Sequence, residues 1–489
     1  MHSLFLLFFV ACGSDVGIAP SGPTPVGQGG AQDFGAFRDI LEAGGIPGPE
    51  SIDDVGFFAE HVIGTPPADC GEDVCVHGRL GSMGNMLSGA DCTIVLLGFS
   101  SPLDPETMER PPLDLTVAID ASGSMEGEGM SAVRLGLKSM LPELGEDDRV
   151  SLVAFDDTAT LLAEGAAPDD PALMAAIDTL EASGGTDLYD GLRVAFDDVL
   201  ARSGPARQRR VLLVSDGAPS SGITSEAHIV ELAAAYNAEG LGLSTVGVGE
   251  ADVDLLRTLA IQGGGSAYFL DGFQAIEEVF VEEASAFLFP LAEDATLSVE
   301  VDSTWDGRAM YGTSTWTGAD NRFDVELPVL QLAGRADASD DELGRRGGGG
   351  AIVLEVLPTA ESTTGEIGTI TLDYRVPGTD ERREQVVPIE QPVAPGETGF
   401  TDPATEKAFV TLNIYVGFEM ATELAADARP ATALQILTGL RDGVAEWLQT
   451  HDDADIADDL RYIDLFVDNL LSAGTPESDV VEVEPWPYD

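Results

Sequence analysis

Apolar and polar residues follow two different periods along residues 113–290. Short apolar runs typical of buried strands lie at 113–120, 149–155, 210–215, 243–248 and 266–270. Between them, apolar residues recur at helical spacing in four stripes: Met130, Val133, Leu137, Met140 and Leu144; Leu188, Leu192, Phe196 and Val199; Ile229, Ala233 and Tyr236; Ile276, Phe280 and Phe287. Strands that alternate with helices predict a doubly wound, mostly parallel sheet, and therefore an α/β domain at 111–290.

The pattern changes on both sides of this segment. Runs rich in Thr, Val, Ile and aromatic residues, separated by Gly- and Asp-rich turns, predict an antiparallel β-sandwich at 291–400. Three amphipathic stripes predict packed helices at 401–475. The segment at 33–110 is expected to hold two short helices and then two strands, near 74–80 and 92–99.

The first residues of the chain predict export. The apolar run at 4–11 is too short to span a bilayer but suits the core of a signal peptide. Ala11 followed by Cys12 resembles the lipobox of bacterial lipoproteins, which implies lipidation of Cys12 after cleavage. We therefore predict a lipoprotein signal peptide at 1–12 and, because Gly, Pro and Ser abound, a flexible tether at 13–32. The protein is expected to be anchored in the cell envelope, with the outer membrane favoured, and the alternatives are an ordinary signal peptide and a chance apolar start.

The charge balance restricts the partners. With 86 acidic against 24 basic residues, the net charge is −62, which argues against nucleic acid and against unaided adsorption to anionic membranes. It favours cations and cationic partners, and an acidic tail is expected at 476–489. Export permits a disulfide among Cys70, Cys75 and Cys92, whose pairing the spacing leaves open.

Oxygen-bearing residues follow three of the predicted elements. Asp120, Ser122 and Ser124 form an Asp-x-Ser-x-Ser run after the first strand, Thr186 lies on a Gly-rich loop that opens a helix, and Asp216 follows the strand at 210–215. Ligands of doubly wound sheets bind at the carboxyl ends of the strands, so these loops could converge on one point. Two carboxylates and three hydroxyls are hard donors that suit Mg²⁺, with Mn²⁺ or Ca²⁺ as alternatives.

This combination resembles the von Willebrand factor A domain, whose metal-ion-dependent adhesion site uses Asp-x-Ser-x-Ser, a Thr and an Asp. The resemblance implies that Ser122, Ser124 and Thr186 ligate Mg²⁺, that Asp120 and Asp216 ligate it directly or through water, and that an acidic side chain of a protein partner completes the shell. The flanking segments resemble bacterial lipoproteins labelled calcium-activated chloride channel homologues, which are distant from the inter-α-trypsin inhibitor heavy chains. By analogy with domains inserted into a sandwich, the strands at 74–99 are expected to join those after 291.

We therefore expect a lipid-anchored adhesion protein that grips a carboxylate of its partner through the metal. The alternative is a structural envelope scaffold in which the metal only stabilises the domain. An enzyme is not expected, since the five histidines have no metal-binding spacing and offer no base to a Ser nucleophile. We interpret His61 and His228 as ordinary helix residues.

Overall fold

The computed structural model describes residues 24–27, 35–52, 54–103, 111–202, 204, 207–249, 251–270, 278–282, 290–313, 316–332, 351–359, 364–379, 381–394 and 396–475. The expected lipidation at Cys12, most of the expected tether and the acidic tail at 476–489 lie outside these ranges.

Strands and helices in the described ranges are numbered in chain order. The strands are β1 Thr24–Gly27, β2 Cys75–Gly84, β3 Asp91–Ser101, β4 Leu113–Asp120, β5 Arg149–Phe155, β6 Ala159–Ala166, β7 Gln208–Ser215, β8 Gly242–Val248, β9 Ala267–Leu270, β10 Pro290–Val301, β11 Trp305–Tyr311, β12 Trp316–Ala319, β13 Arg322–Leu332, β14 Ile352–Pro358, β15 Gly365–Arg375, β16 Arg382–Gln391 and β17 Gly399–Phe400. The α-helices are α1 Gly35–Glu42, α2 Asp54–Ala59, α3 Glu128–Met140, α4 Pro171–Asp178, α5 Leu188–Arg202, α6 Glu226–Asn237, α7 Val253–Gln262, α8 Pro403–Ala426, α9 Pro430–Leu448 and α10 Ala454–Ser472. A single π-helical turn spans Glu278–Glu282.

The α/β domain is built on a six-stranded sheet in the order β6-β5-β4-β7-β8-β9. The five expected strands are present and pair in parallel, whereas β6 runs antiparallel to β5 at the edge. Every residue of β4 is buried, because α3 and α4 cover one face of the sheet and α5, α6 and α7 cover the other. A central strand buried on both faces is a continuous apolar run, which is why the sequence revealed it.

The second sheet is antiparallel throughout and contains eleven strands, with the path β11-β14-β3-β1-β13-β10-β15-β16. Strands β2 and β3 precede the α/β domain in the chain, while β17 and β14, with which they pair, follow it. The expected insertion of the α/β domain is therefore confirmed. The sheet curves so that its two halves enclose a common apolar core, with Val95 and Leu97 of β3 in the same cluster as Leu297 and Val299 of β10.

The expectation of a flexible tether throughout 13–32 is wrong at β1. This short strand pairs with both β3 and β13, where Val26 lies opposite Phe99 on one side and Leu332 on the other. Val26 is only 2% exposed. A strand of four residues between two neighbours is too short to show an alternating apolar pattern, and the glycines and prolines around it predict a loop.

A helical layer, formed by α1, α2, α8, α9 and α10, covers the outer face of β3 and β14. The alternation of side chains along β3 places Cys92, Ile94 and Leu96 in the apolar cluster of the helices. The intervening Val95 and Leu97 lie in the core of the sandwich. The strand is therefore covered on both faces.

No helix in the described part of the chain is long and apolar enough to cross a membrane.

Two details correct or complete the sequence interpretation. His61 is not a helix residue: it follows α2, is fully buried, and its Nε2 lies 2.7 Å from Asp459 Oδ2 on α10. Such a partner, 398 positions away in sequence, cannot be seen in a local pattern. The disulfide joins Cys70 to Cys75, and Cys92 is free and buried against the helices.

Candidate metal centre

The first candidate loop starts where the central strand β4 ends. The carboxylate of Asp120 is fully buried, and its two oxygens accept hydrogen bonds from different elements. The Ser122 N–H donates to Oδ1 at 2.8 Å, and the Ser215 hydroxyl at the end of β7 donates to Oδ2 at 2.6 Å. The carboxylate is therefore held rigidly at the carboxyl edge of the sheet.

The two serines of the motif lie together on the same turn. Ser122 is buried at 1% exposure, whereas Ser124 is exposed, and their hydroxyl oxygens are 2.9 Å apart. A short 3-10 turn at Gly123–Met125 brings the second hydroxyl back towards the first. The turn thus presents two hydroxyl oxygens side by side next to the strand end.

The second loop, which carries Thr186, is tied to the first by backbone hydrogen bonds. The Ser183 N–H donates to the Ala121 carbonyl at 2.7 Å, and the Gly123 N–H donates to the Gly184 carbonyl at 3.2 Å. Thr186 itself is buried at 3% exposure. The Thr186 loop and the Asp-x-Ser-x-Ser loop are therefore in direct contact.

The third loop follows β7 and closes against the second. The Thr186 N–H donates to the Ser220 hydroxyl at 2.9 Å, and the N–H groups of Ser220 and Ser221 both donate to the Thr186 carbonyl. Asp216 is half-buried at the start of this loop, and its carbonyl accepts the Asp252 N–H at 2.7 Å. The structure thus brings all five predicted residues onto three loops that are bonded to one another at one edge of the sheet.

The electrostatics of the centre are dominated by the buried carboxylate. Burial raises the pKa of Asp120 above its ordinary value, the hydrogen bonds from Ser215 and Ser122 lower it, and the nearby charge of Asp216 raises it. Two carboxylates that face each other without a cation destabilise each other's charged forms. A divalent cation between them would remove that repulsion.

The donor set fits a hard cation. Carboxylate and hydroxyl oxygens suit Mg²⁺, and these loops contain none of the Cys or His side chains that softer metals prefer. The one sulfur in them belongs to Met125, which packs in the apolar core of the domain. Within the described residues, no group of three or more His, Cys, Asp and Glu side chains could hold a metal ion. Hydroxyl ligands would therefore have to supply most of the protein's share of the shell, and metal ligation by these five residues stays a prediction.

Two supporting residues escaped the sequence analysis. Ser215 orients Asp120, and Ser220 holds the backbone of Thr186. Ser215 directly precedes Asp216, so its place at a strand end was the available signal. Ser220 belongs to no motif, and only the folded loop reveals its role.

Comparison with known proteins identifies this domain. A family model described as the von Willebrand factor type A domain matches residues 114–282. The chain carries a von Willebrand factor type A (VWA) domain. Such domains typically mediate metal-dependent protein interaction and are generally not enzymes.

Individual relatives share mainly this domain. The uncharacterized protein YfbK of Escherichia coli (strain K12) is 28% identical over 206 residues, a match that covers 41% of this chain and 36% of YfbK. The inter-alpha-trypsin inhibitor heavy chain H2 of Sus scrofa is 28% identical over 180 residues, which cover 35% of this chain and 19% of that protein. The chain thus spans about a third of YfbK and less of the heavy chain.

Among solved structures, the von Willebrand factor type A protein from Catenulispora acidiphila aligns with 81% of this chain and 96% of its own chain, at 15% sequence identity and a TM-score of 0.49. The relation to chloride channel homologues stays a prediction.

Proposed function

We propose that this protein is an exported, lipid-anchored binding protein whose VWA domain grips a carboxylate of a protein partner through Mg²⁺. The observation that carries the proposal is the convergence of Asp120, Ser122, Ser124, Thr186 and Asp216 on three mutually bonded loops. Asp120 and Asp216 would neutralise the cation, and the three hydroxyls would fill part of its shell. An octahedral Mg²⁺ ion would keep a position for a ligand from outside.

The rim of the centre indicates what surrounds the partner's carboxylate. The loops at 121–128, 156–158, 181–187 and 216–226 contain acidic residues but no Lys or Arg. Glu126, Glu128 and Asp157 are exposed among them. Because like charges would repel across the interface, the partner should present its carboxylate within a cationic surface, and association should weaken as salt is added.

The side chains of these loops favour metal ligation over nucleophilic catalysis. The described loops around the centre contain no His, Cys or Lys. A hydroxyl such as that of Ser122 needs a neighbouring base to become a nucleophile, whereas it can ligate a metal as it stands.

A pull-down from envelope extract tests the binding function. The wild-type protein should retain its partner with Mg²⁺ and release it with a chelator, while Asp120→Asn should not retain it under either condition. Asp169→Asn is the matched control, because Asp169 is an exposed carboxylate that follows β6. Since β6 runs antiparallel to the other strands, its last residues lie at their amino ends, away from the candidate centre.

Capture that persists in the chelator and in Asp120→Asn would contradict the metal-bridged function. It would favour the alternative, a structural envelope scaffold in which the sandwich and the helices make the contacts. The anchor is tested separately: Cys12→Ser should take up no labelled fatty acid, and uptake by that variant would rule out lipidation at Cys12.

A further inference from the structure

One part of the contact between the helical layer and the sheet is formed by α2 and α8 on one side and by β11 and β14 on the other. We term this part the seam. The ring of Tyr311 at the end of β11 lies 6.0 Å from that of Tyr415 on α8. The Gly312 N–H donates to Asp54 Oδ2 on α2 at 2.7 Å. Helices that are far apart in sequence are therefore held on the sheet at the same place.

One acidic side chain of the seam belongs to a strand of the sheet and is buried. Glu355 on β14 pairs with Ile94 on β3 and is 2% exposed. Val353, two positions earlier, belongs to the apolar cluster of the helices, so the alternation of the strand points Glu355 to the same side. Its Oε1 is buried and accepts no hydrogen bond from the residues that the structure describes.

The groups that face Glu355 do not compensate its charge. Arg308 on β11 is the nearby cation, but its guanidinium lies 3.1 Å from the carboxylate of Asp306. The Cys92 thiol on β3 faces Glu355 as well, and burial followed by the charge of Glu355 raises the pKa of this thiol. A carboxylate in this place loses its hydration without gaining an equivalent partner, so the neutral acid is favoured.

A second acidic side chain lies on the helical side of the seam. Glu419 on α8 is partly buried and faces two further carboxylates, Glu423 on the same helix and Asp54 on α2. The Tyr415 hydroxyl donates to Glu419 Oε1 at 3.4 Å, a long hydrogen bond. Ionisation of Glu419 therefore adds a third negative charge to a place that already holds two.

The cations of the helical layer nearest its core are paired elsewhere. Arg38 forms two hydrogen bonds with Glu60, at 2.9 and 3.0 Å. Lys407 lies between Asp453 and Asp455, at 2.9 and 2.7 Å. Arg38 and Lys407 therefore neutralise other acidic side chains. Glu355 on β14 and Glu419 on α8 have no such cation in the described ranges, so they are most stable in this place when protonated.

We propose that the seam is a pH-responsive contact: α2 and α8 lie firmly against the sheet while Glu355 and Glu419 are protonated, and they loosen from it when both are ionised. Burial raises the pKa of each carboxyl to about 7, with Glu423 and Asp54 adding to the effect at Glu419. Since the ordinary value is 4.5, the folded state holds protons that the unfolded chain has lost. The stabilisation of the seam by the two protonated carboxyls is complete below pH 4.5 and is lost as the pH rises through about 7.

Hydrogen–deuterium exchange at pH 6 and pH 8, corrected for the intrinsic exchange rate, tests the proposal. With pKa values of about 7 and 4.5, each carboxyl should increase local opening about tenfold between these two pH values. Protection of α2 and of the second half of α8 should fall accordingly, while α5 in the VWA domain serves as the internal reference. Glu355→Gln/Glu419→Gln should remove the difference, because a neutral amide cannot ionise.

Glu446→Gln, which neutralises an exposed glutamate of α9, is the matched control and should retain the wild-type response. If the exchange protection of the seam in the wild-type protein changes with pH no more than that of α5, the proposal is wrong, and no variant is needed to show it. Retention of the full pH response in Glu355→Gln/Glu419→Gln would also overturn it.

Discussion

The pair formed by His61 and Asp459 offers a sharp test of the helical layer. His61→Leu removes an imidazole that lies within 2.7 Å of both Asp459 Oδ2 and the Phe57 carbonyl, in a place where both side chains are 1% exposed. Removing one partner of a buried pair costs about 3–5 kcal/mol, because the other loses this hydrogen bond in the interior, where water cannot replace it. Since solvent does not reach this pair, we expect a loss of at least about 3 kcal/mol.

Urea unfolding, followed by circular dichroism at constant pH, measures this loss. His61→Leu/Asp459→Leu should recover a large part of it, with a coupling energy of about 2–3 kcal/mol in the double-mutant cycle. The partly exposed pair of His451 and Glu406, with 3.5 Å between Nε2 and Oε1, is the control, and His451→Leu should cost less than about 1 kcal/mol. Equal losses in His61→Leu and His451→Leu would show that the buried pair is not special, and costs at His61 and Asp459 that simply add would show that the two side chains are not coupled.

Two further predictions concern packing and the cysteines. Gly136→Ala should destabilise the VWA domain by about 1–3 kcal/mol in urea unfolding, because the added Cβ would lie 2.4 Å from the Phe280 ring. Gly439→Ala, whose Cβ would meet nothing within 4 Å, should be neutral or stabilising, and equal losses at both positions would contradict the packing. Cys70→Ser/Cys75→Ser should lose about 2 kcal/mol, as expected for a short disulfide loop. Cys92 should react with a thiol reagent only on unfolding, and rapid labelling of the native protein would contradict its burial.

The candidate centre could be predicted because its signals are local. Asp120, Ser122 and Ser124 are contiguous with a buried strand, and the strand-end rule for doubly wound sheets adds Thr186 and Asp216. The geometry between the loops could not be predicted, since it depends on backbone hydrogen bonds such as that from Gly123 to the Gly184 carbonyl.

The parts of the fold that sequence analysis missed are those with weak or distant signals. Strand β6 is an edge strand of mostly small, partly exposed residues, so it lacks the apolar run of a buried strand. The short β1 lies in a Gly- and Pro-rich segment whose composition predicts a flexible tether. The spacing of the three cysteines allows every pairing, so the sequence does not predict the disulfide; in the structure Cys70 pairs with Cys75, and β3 buries Cys92 against the helices.

Anomalous diffraction from crystals grown with Mn²⁺ in place of Mg²⁺ would locate the metal itself. We expect one strong peak at the carboxyl ends of the VWA strands, with the hydroxyl oxygens of Ser122, Ser124 and Thr186 at about 2.1–2.2 Å, close to the distance that Mg²⁺ takes. Asp120 and Asp216 should ligate the ion directly or through water, and Asp120→Asn should abolish the peak. An ion bound elsewhere, or a peak that persists in Asp120→Asn with the same ligands, would contradict a metal centre built on this carboxylate.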